Sequence, residues 1–216
     1  MTMLKNAPTF KIVEVEGISS KEEDDALYNV EIRVEDDAGG FKAIRTNKTI
    51  LAFTSPVFKQ QFFGSLRSRK NSGDSTQNKM EVVDIPDFTF NVVKDFIELI
   101  TSSNVSIVDT SEDFGFLFEM LRISDLYQVL EVVDLVKGKI ATVEITRADV
   151  VTAASISEMY KDLQNFEEVS EEVFGRCADV LHKTCPNTLD LSKFIWDNMD
   201  NEELIIRLLK KGLWNI

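Results

Sequence analysis

FKAIRTNKTILAFTSPVFKQQFF, residues 41–63, is the stretch on which the reading of this chain turns. Its first six residues, Phe41–Thr46, alternate between the two faces of an extended strand. A second alternating run, VEIRV at Val30–Val34, lies upstream across the turn EDDAGG, Glu35–Gly40. Alternation on both sides of a Gly-Gly turn predicts a β-hairpin. At Asn47 the period changes. Asn47 can cap a short helix carrying Ile50 and Leu51, and Ser55 followed by Pro56 reads as an N-cap and then proline at the first helical position, where no backbone bond is lost. Val57, Phe58, Gln61 and Phe62 continue at helical spacing. Arg, Asn, Lys and Gln are threaded among these apolar residues. The segment can therefore be an active-site stretch, a plain core or a face built to hold another protein.

Working outward, SRKNSGDSTQNK (Ser68–Lys79) contains no apolar residue and carries Gly, Ser, Asn and Asp, so it reads as a loop. Loops of this length are usually functional or disordered. Met80–Ile85 reads as a strand. Phe88–Ile100 places Val92, Val93, Phe96, Ile97 and Ile100 on one helical face. Thr110 with Asp113 predicts a capping box before FGFLFEMLRISDLY, and Val129–Ile140 is a further amphipathic helix. Thr146 with Asp149, Asn165 with Glu168 and Asp200 with Glu203 mark later helix starts, and Gly212 is expected to stop the last helix. Strands come early and helices late. The expected class is α+β followed by an all-α extension, without parallel βαβ winding.

The 216 residues are 44% hydrophobic and 28% charged, enough for a real core in one or two domains. No apolar run approaches the roughly 20 residues that cross a bilayer, and the N-terminus lacks the basic flank and apolar stretch of a secretory signal. The formal net charge of −13 repels phosphate backbones and anionic membranes, so neither nucleic acid nor membrane is an expected partner. Two cysteines, Cys177 and Cys185, are too few for a disulfide framework and are expected as reduced thiols. An intracellular location, cytoplasm or nucleus, is expected.

Chemistry is hard to assemble from these residues. The single histidine, His182, is the only candidate base for a Ser-His-Asp or Cys-His arrangement. Cys177, His182 and Cys185 do not match the spacing of a closed zinc set. EDDAGGFK lacks both phosphate-cradling glycine patterns. No catalytic residue, cofactor or metal is therefore expected, and the chain is read as a non-enzyme. Fifteen Phe residues against three Tyr and two Trp point instead to apolar faces. Burial of each is worth ~2–3 kcal/mol. Phe62, Phe63 and Leu66, however, run directly into the polar loop; they read either as core, the commoner fate of a Phe, or as a candidate contact patch.

The opening stretch resembles the BTB/POZ domain. The residues that carry the likeness are Ile44, Thr46-Asn47-Lys48, Ile50-Leu51-Ala52, Ser55-Pro56 and Phe58, followed by IPDFTF with Phe90, and then Asp125, Tyr127 and Val129 within LFEMLRISDLYQVLEVVDLV. These matches span about Tyr28 to Ile140. The helices after them resemble the BACK or three-box extension found behind many such domains. The resemblance implies an N-terminal extension at 1–26, a BTB/POZ domain at 27–142 and a BACK-like helical extension at 143–216. It implies dimerisation, with Ile50 and Leu51 facing the partner copy. It also implies, in many members, binding to a cullin scaffold that brings a substrate to ubiquitination, with Phe62, Phe63, Leu66, Ser68 and Tyr127 as the candidate cullin-facing residues.

Three departures qualify these expectations. Asn29 and Asn47 stand where the family has Asp and His, while Lys48 is kept. The family's charged pocket, at Asn29, Asn47 and Lys48, is then expected to be uncompensated or differently used. Leu66-Arg67-Ser68 lacks the Glu that follows the second helix in tight cullin binders. ITSS at Ile100–Ser103 replaces the usual Tyr-Thr-Gly. Two functions follow as expectations: a cullin-binding adaptor with an unknown substrate, or an oligomerisation scaffold without a ligase role. Met1–Ala26 is too short for a MATH, Kelch or zinc-finger module. Substrate is therefore expected on the polar loop, the N-terminal FKIVEVEG or the last helix.

Overall fold

The computed structural model describes residues 13–15, 28–35, 40–64, 80–163 and 165–213. The loop at 68–79 and the candidate residues Leu66 and Ser68 lie outside them. The described chain packs as two compact units. The first runs to Thr110 and includes Glu119–Leu135; the second comprises Ser111–Phe118 and Val136–Ile216.

The first unit is built on a small sheet. Strands β1 (Val13–Val15), β2 (Val30–Glu35), β3 (Phe41–Thr46) and β4 (Glu81–Asp84) lie in the order β1-β3-β2-β4. β2 and β3 form the expected antiparallel hairpin, with Ile32 opposite Ile44. Val30, Ile32 and Val34 of β2 are buried while Arg33 and Glu35 are exposed; Glu31, on the outer set, is also buried, paired with Arg33 and Arg45. β4 pairs with β2 in parallel, which corrects the expectation that parallel winding would be absent. Between them come β3 and two helices, α1 (Lys48–Thr54) and α2 (Pro56–Phe63), and such a crossover is what a parallel pair requires. Helix α3 (Phe90–Ser102) buries Val92, Val93, Phe96, Ile97 and Ile100 as its spacing predicted, and packs on β2 and α1. It stops at Ser103, which takes a left-handed backbone (φ 58). A short helix α4 (Ser106–Asp109) precedes α5 (Phe114–Leu126) and α6 (Leu130–Thr142).

The second unit is helical: α7 (Val150–Tyr160), α8 (Glu167–Thr184), α9 (Thr188–Asp197) and α10 (Glu202–Leu213). α7 and α8 pack as a pair and α10 packs on both. Its aromatic core runs Phe118, Tyr160, Phe166, with centroids 5.4 and 6.0 Å apart. Arg176 of α8 reaches the end of α6, donating to the Ile140 carbonyl at 2.8 Å and to the Val143 carbonyl. A guanidinium there answers carbonyls that have no partner within the helix.

Several expected helix starts shift. Asp113 caps α5 alone, accepting from Gly115 N–H (2.8 Å) and Phe116 N–H, while Thr110 Oγ1 donates back to the Ser106 carbonyl. Asn165 is left-handed (φ 70) and α8 begins after Phe166. A 3-10 turn at Met199–Asn201 precedes α10, and α10 continues through Gly212 to Leu213. α9, capped by Asn187, was not anticipated. Two of its apolar residues, Leu189 and Trp196, are exposed.

Candidate functional site

The opening stretch folds as its caps dictate. Asn47 Oδ1 accepts from Thr49 N–H at 2.9 Å and Ile50 N–H at 3.4 Å. The N–H of Lys48, the first residue of α1, donates to Asn29 Oδ1 at 2.8 Å. The first three amides of α1, which have no partner inside the helix, are thus satisfied by two asparagines. A neutral amide oxygen suffices for this, so Asn29 does the structural work an aspartate could do without its charge. The three pocket positions Asn29, Asn47 and Lys48 meet at one point. Lys48 is not left uncompensated there: its Nζ lies 4.0 Å from Glu81 Oε2 on β4.

Ser55 is fully buried and serves two elements. Its Oγ accepts from Phe58 N–H at 3.1 Å, capping α2, and its hydroxyl donates to the Tyr127 carbonyl at 2.6 Å. Immediately after Tyr127 the chain turns through Gln128, which is left-handed (φ 55), and enters α6. The Ser-Pro motif therefore holds the α5–α6 turn beside α2.

That geometry corrects three expected surface residues. Phe62 is fully buried and stacks parallel to Phe58 at 5.6 Å. Tyr127 is 7% exposed and sits between Phe58 (4.3 Å) and Phe96 (5.8 Å). Burial pushes its phenol up to about 12. Both rings belong to one aromatic stack of the core. Leu51, expected on a dimer face, is also fully buried, whereas its neighbour Ile50 is half-buried. Side chains one residue apart on a helix point about 100° apart, which separates their fates.

Phe63 is different. It is 56% exposed, one position past Phe62 on α2. It lines an open groove of about 680 Å³ together with Phe53 and Pro56 on the α1–α2 side and Val129 and Leu130 on the α6 side. Phe53 is 72% and Leu130 67% exposed. Lys59 and Glu131 lie on the opposing walls. Phe53 and Leu130 were not singled out from sequence. The available signal was Phe53's place two residues after the inward Leu51, and the doublet Val129-Leu130 at a helix start, of which only one residue can be buried.

Among the described residues no group of three or more His, Cys, Asp or Glu could hold a metal ion, and no helix is long and apolar enough to cross a membrane. The groove converges apolar side chains, which suit a protein surface better than a reacting group.

No curated protein matches the chain. A family model for the BTB/POZ domain matches residues 19–144 of the 216, the span that holds the hairpin, the capped α1–α2 pair, β4 and α3–α6. BTB/POZ domains are protein–protein interaction modules and generally not enzymes. With the small sheet, its flanking helices and the further helices behind them, this chain belongs to the BTB/POZ domain family.

Proposed function

We propose that the chain is an intracellular adaptor, in cytoplasm or nucleus, that seats a helix of a cullin scaffold in the Phe53–Phe63–Leu130 groove and so brings a substrate to ubiquitination. The observation that carries this reading is the groove itself: three large apolar side chains held in water on a rigid helical frame. Its walls are helix faces without an open strand edge, so they favour a helix laid into the groove over an added strand. Lys59 on one wall and Glu131 on the other ask for a partner helix with an acid on one flank and a base on the other. The domain is taken as residues 27–142, and the helices at 143–216 as a BACK-like extension.

The test is a chemical-shift titration of the purified protein with a cullin N-terminal region. Shifts confined to Phe53, Phe63 and Gln128–Glu131, abolished by Phe63→Glu, are expected. Saturating cullin without any shift in those resonances defeats the adaptor reading. Ser68→Glu, which restores the acid seen in tight binders, is expected to strengthen binding about ten- to a hundredfold.

A second reading, an oligomerisation scaffold without a ligase role, is favoured by the exposed Phe53 and half-buried Ile50 on the same helix α1. Light scattering decides it. A dimer that Phe53→Ser converts to a monomer, with no response to cullin, selects the scaffold.

A further inference from the structure

We infer that Lys48 is a positioning residue for the groove: it holds the exposed ring of Phe63 in a single orientation and so couples the Asn29–Asn47–Lys48 pocket to the docking surface. The inference rests on the reading that the groove receives a protein partner.

Phe63 is the last residue of α2, followed by Gly64, and more than half of its side chain faces water. Its ring has two aromatic or cationic neighbours among the described residues. Phe62 meets it edge-on at 6.4 Å, and Lys48 Nζ lies 6.0 Å from its centroid. An exposed ring at a helix end is otherwise free to change rotamer, and a partner must then order it on binding, which weakens association. A cation over the ring face restrains it beforehand.

The restraint works because Lys48 is itself fixed at both ends. Its backbone N–H is bound by Asn29 at 2.8 Å, and its ammonium is drawn to Glu81 at 4.0 Å. Lys48 opens α1, where the helix dipole disfavours a cation and no acidic residue lies in the first turn. The carboxylate of Glu81 on β4 offsets that. The path from the sheet to the groove is thus Glu81, Lys48, Phe63, with Asn29 holding the backbone between them.

The experiment places 4-fluorophenylalanine at position 63 and records its ¹⁹F resonance in the full chain with Lys48 intact, in Lys48→Met, in Lys48→Arg and in Glu81→Gln. Affinity for a cullin N-terminal region is measured on the same set. Lys48→Met is expected to shift and broaden the ¹⁹F line and to weaken binding about two- to fivefold, the range of one exposed cation–π contact. Lys48→Arg is expected to restore both, since guanidinium also lies over ring faces, and Glu81→Gln to reproduce part of the Met effect. A merely structural role for Lys48 would lower the urea midpoint without moving the ¹⁹F line. An unchanged ¹⁹F resonance in Lys48→Met overturns the inference. If the unsubstituted protein binds no cullin, the docking reading fails on its own, and the ¹⁹F comparison still decides whether Lys48 holds the ring.

Discussion

Ser55→Ala offers the sharpest test of how the groove is assembled. The hydroxyl of Ser55 is fully buried, caps α2 through Phe58 N–H and donates to the Tyr127 carbonyl at 2.6 Å. Alanine removes both bonds. Loss of a serine N-cap costs about 1 kcal/mol. A buried carbonyl left without its donor costs about 1–3 kcal/mol more. The sum is about 2–4 kcal/mol, which for a chain of this size lowers the melting temperature by roughly 5–15 °C. Urea unfolding followed by far-UV circular dichroism measures it, with an unchanged m-value because the surface exposed on unfolding is the same. Ser55→Gly separates the two contributions. Glycine is nearly as good an N-cap, so its cost should be about 1–3 kcal/mol and come from the Tyr127 carbonyl. A Ser55→Ala protein within about 0.5 kcal/mol of the parent would mean that the serine does not hold the α5–α6 turn, and the account of how Val129 and Leu130 come to line the groove would be wrong.

Two further outcomes are expected. Arg176→Met should destabilise the second unit by about 1.5–3 kcal/mol, because it removes charge-assisted bonds to the Ile140 and Val143 carbonyls, and a lowered urea midpoint checks this. Stability should also fall in alkali. Burial pushes the Tyr127 phenol from 10.0 up to about 12, so below pH 10 it is neutral in folded and unfolded chains alike, while between pH 10 and about 12 only the unfolded chain ionises and gains. Midpoints measured from pH 8 to 11.5 should therefore decline more steeply in the parent than in Tyr127→Phe, with the buried Cys177 thiol, also raised to about 12, giving a common background. Parallel slopes would contradict the burial of that phenol.

Much of the architecture was legible because it rests on local rules. The Gly-Gly turn between two alternating runs gave away the β2–β3 hairpin, and Asn47, Ser55 and Pro56 marked α1 and α2 to the residue. The face of α3 followed from its period. Local signals failed where polar side chains had other uses. Asp113 took the cap expected of Thr110, and Asn165 took a left-handed turn in place of a cap. The parallel placement of β4 was invisible, since it depends on a pairing between strands separated by a hairpin arm and two helices.

The candidate site divides the same way. A run of aromatic and aliphatic residues from Phe41 to Phe63 was enough to locate the region of the surface that matters, but not its members. Phe62 and Phe63 are equally apolar and adjacent, yet one is fully buried and the other 56% exposed. Tyr127 was expected at the surface because of its place in the family pattern, and lies between Phe58 and Phe96.

The order of strands and helices, their capped ends and the membership of the BTB/POZ fold were written in the amino-acid sequence, because period, caps and turn residues act over a few positions. Which apolar side chains close the core and which remain in water was decided only when the α5–α6 turn, held by the buried hydroxyl of Ser55, came to lie beside α2. A side chain's burial depends on what stands opposite it, and here the opposing wall comes from residues some seventy positions away in the chain.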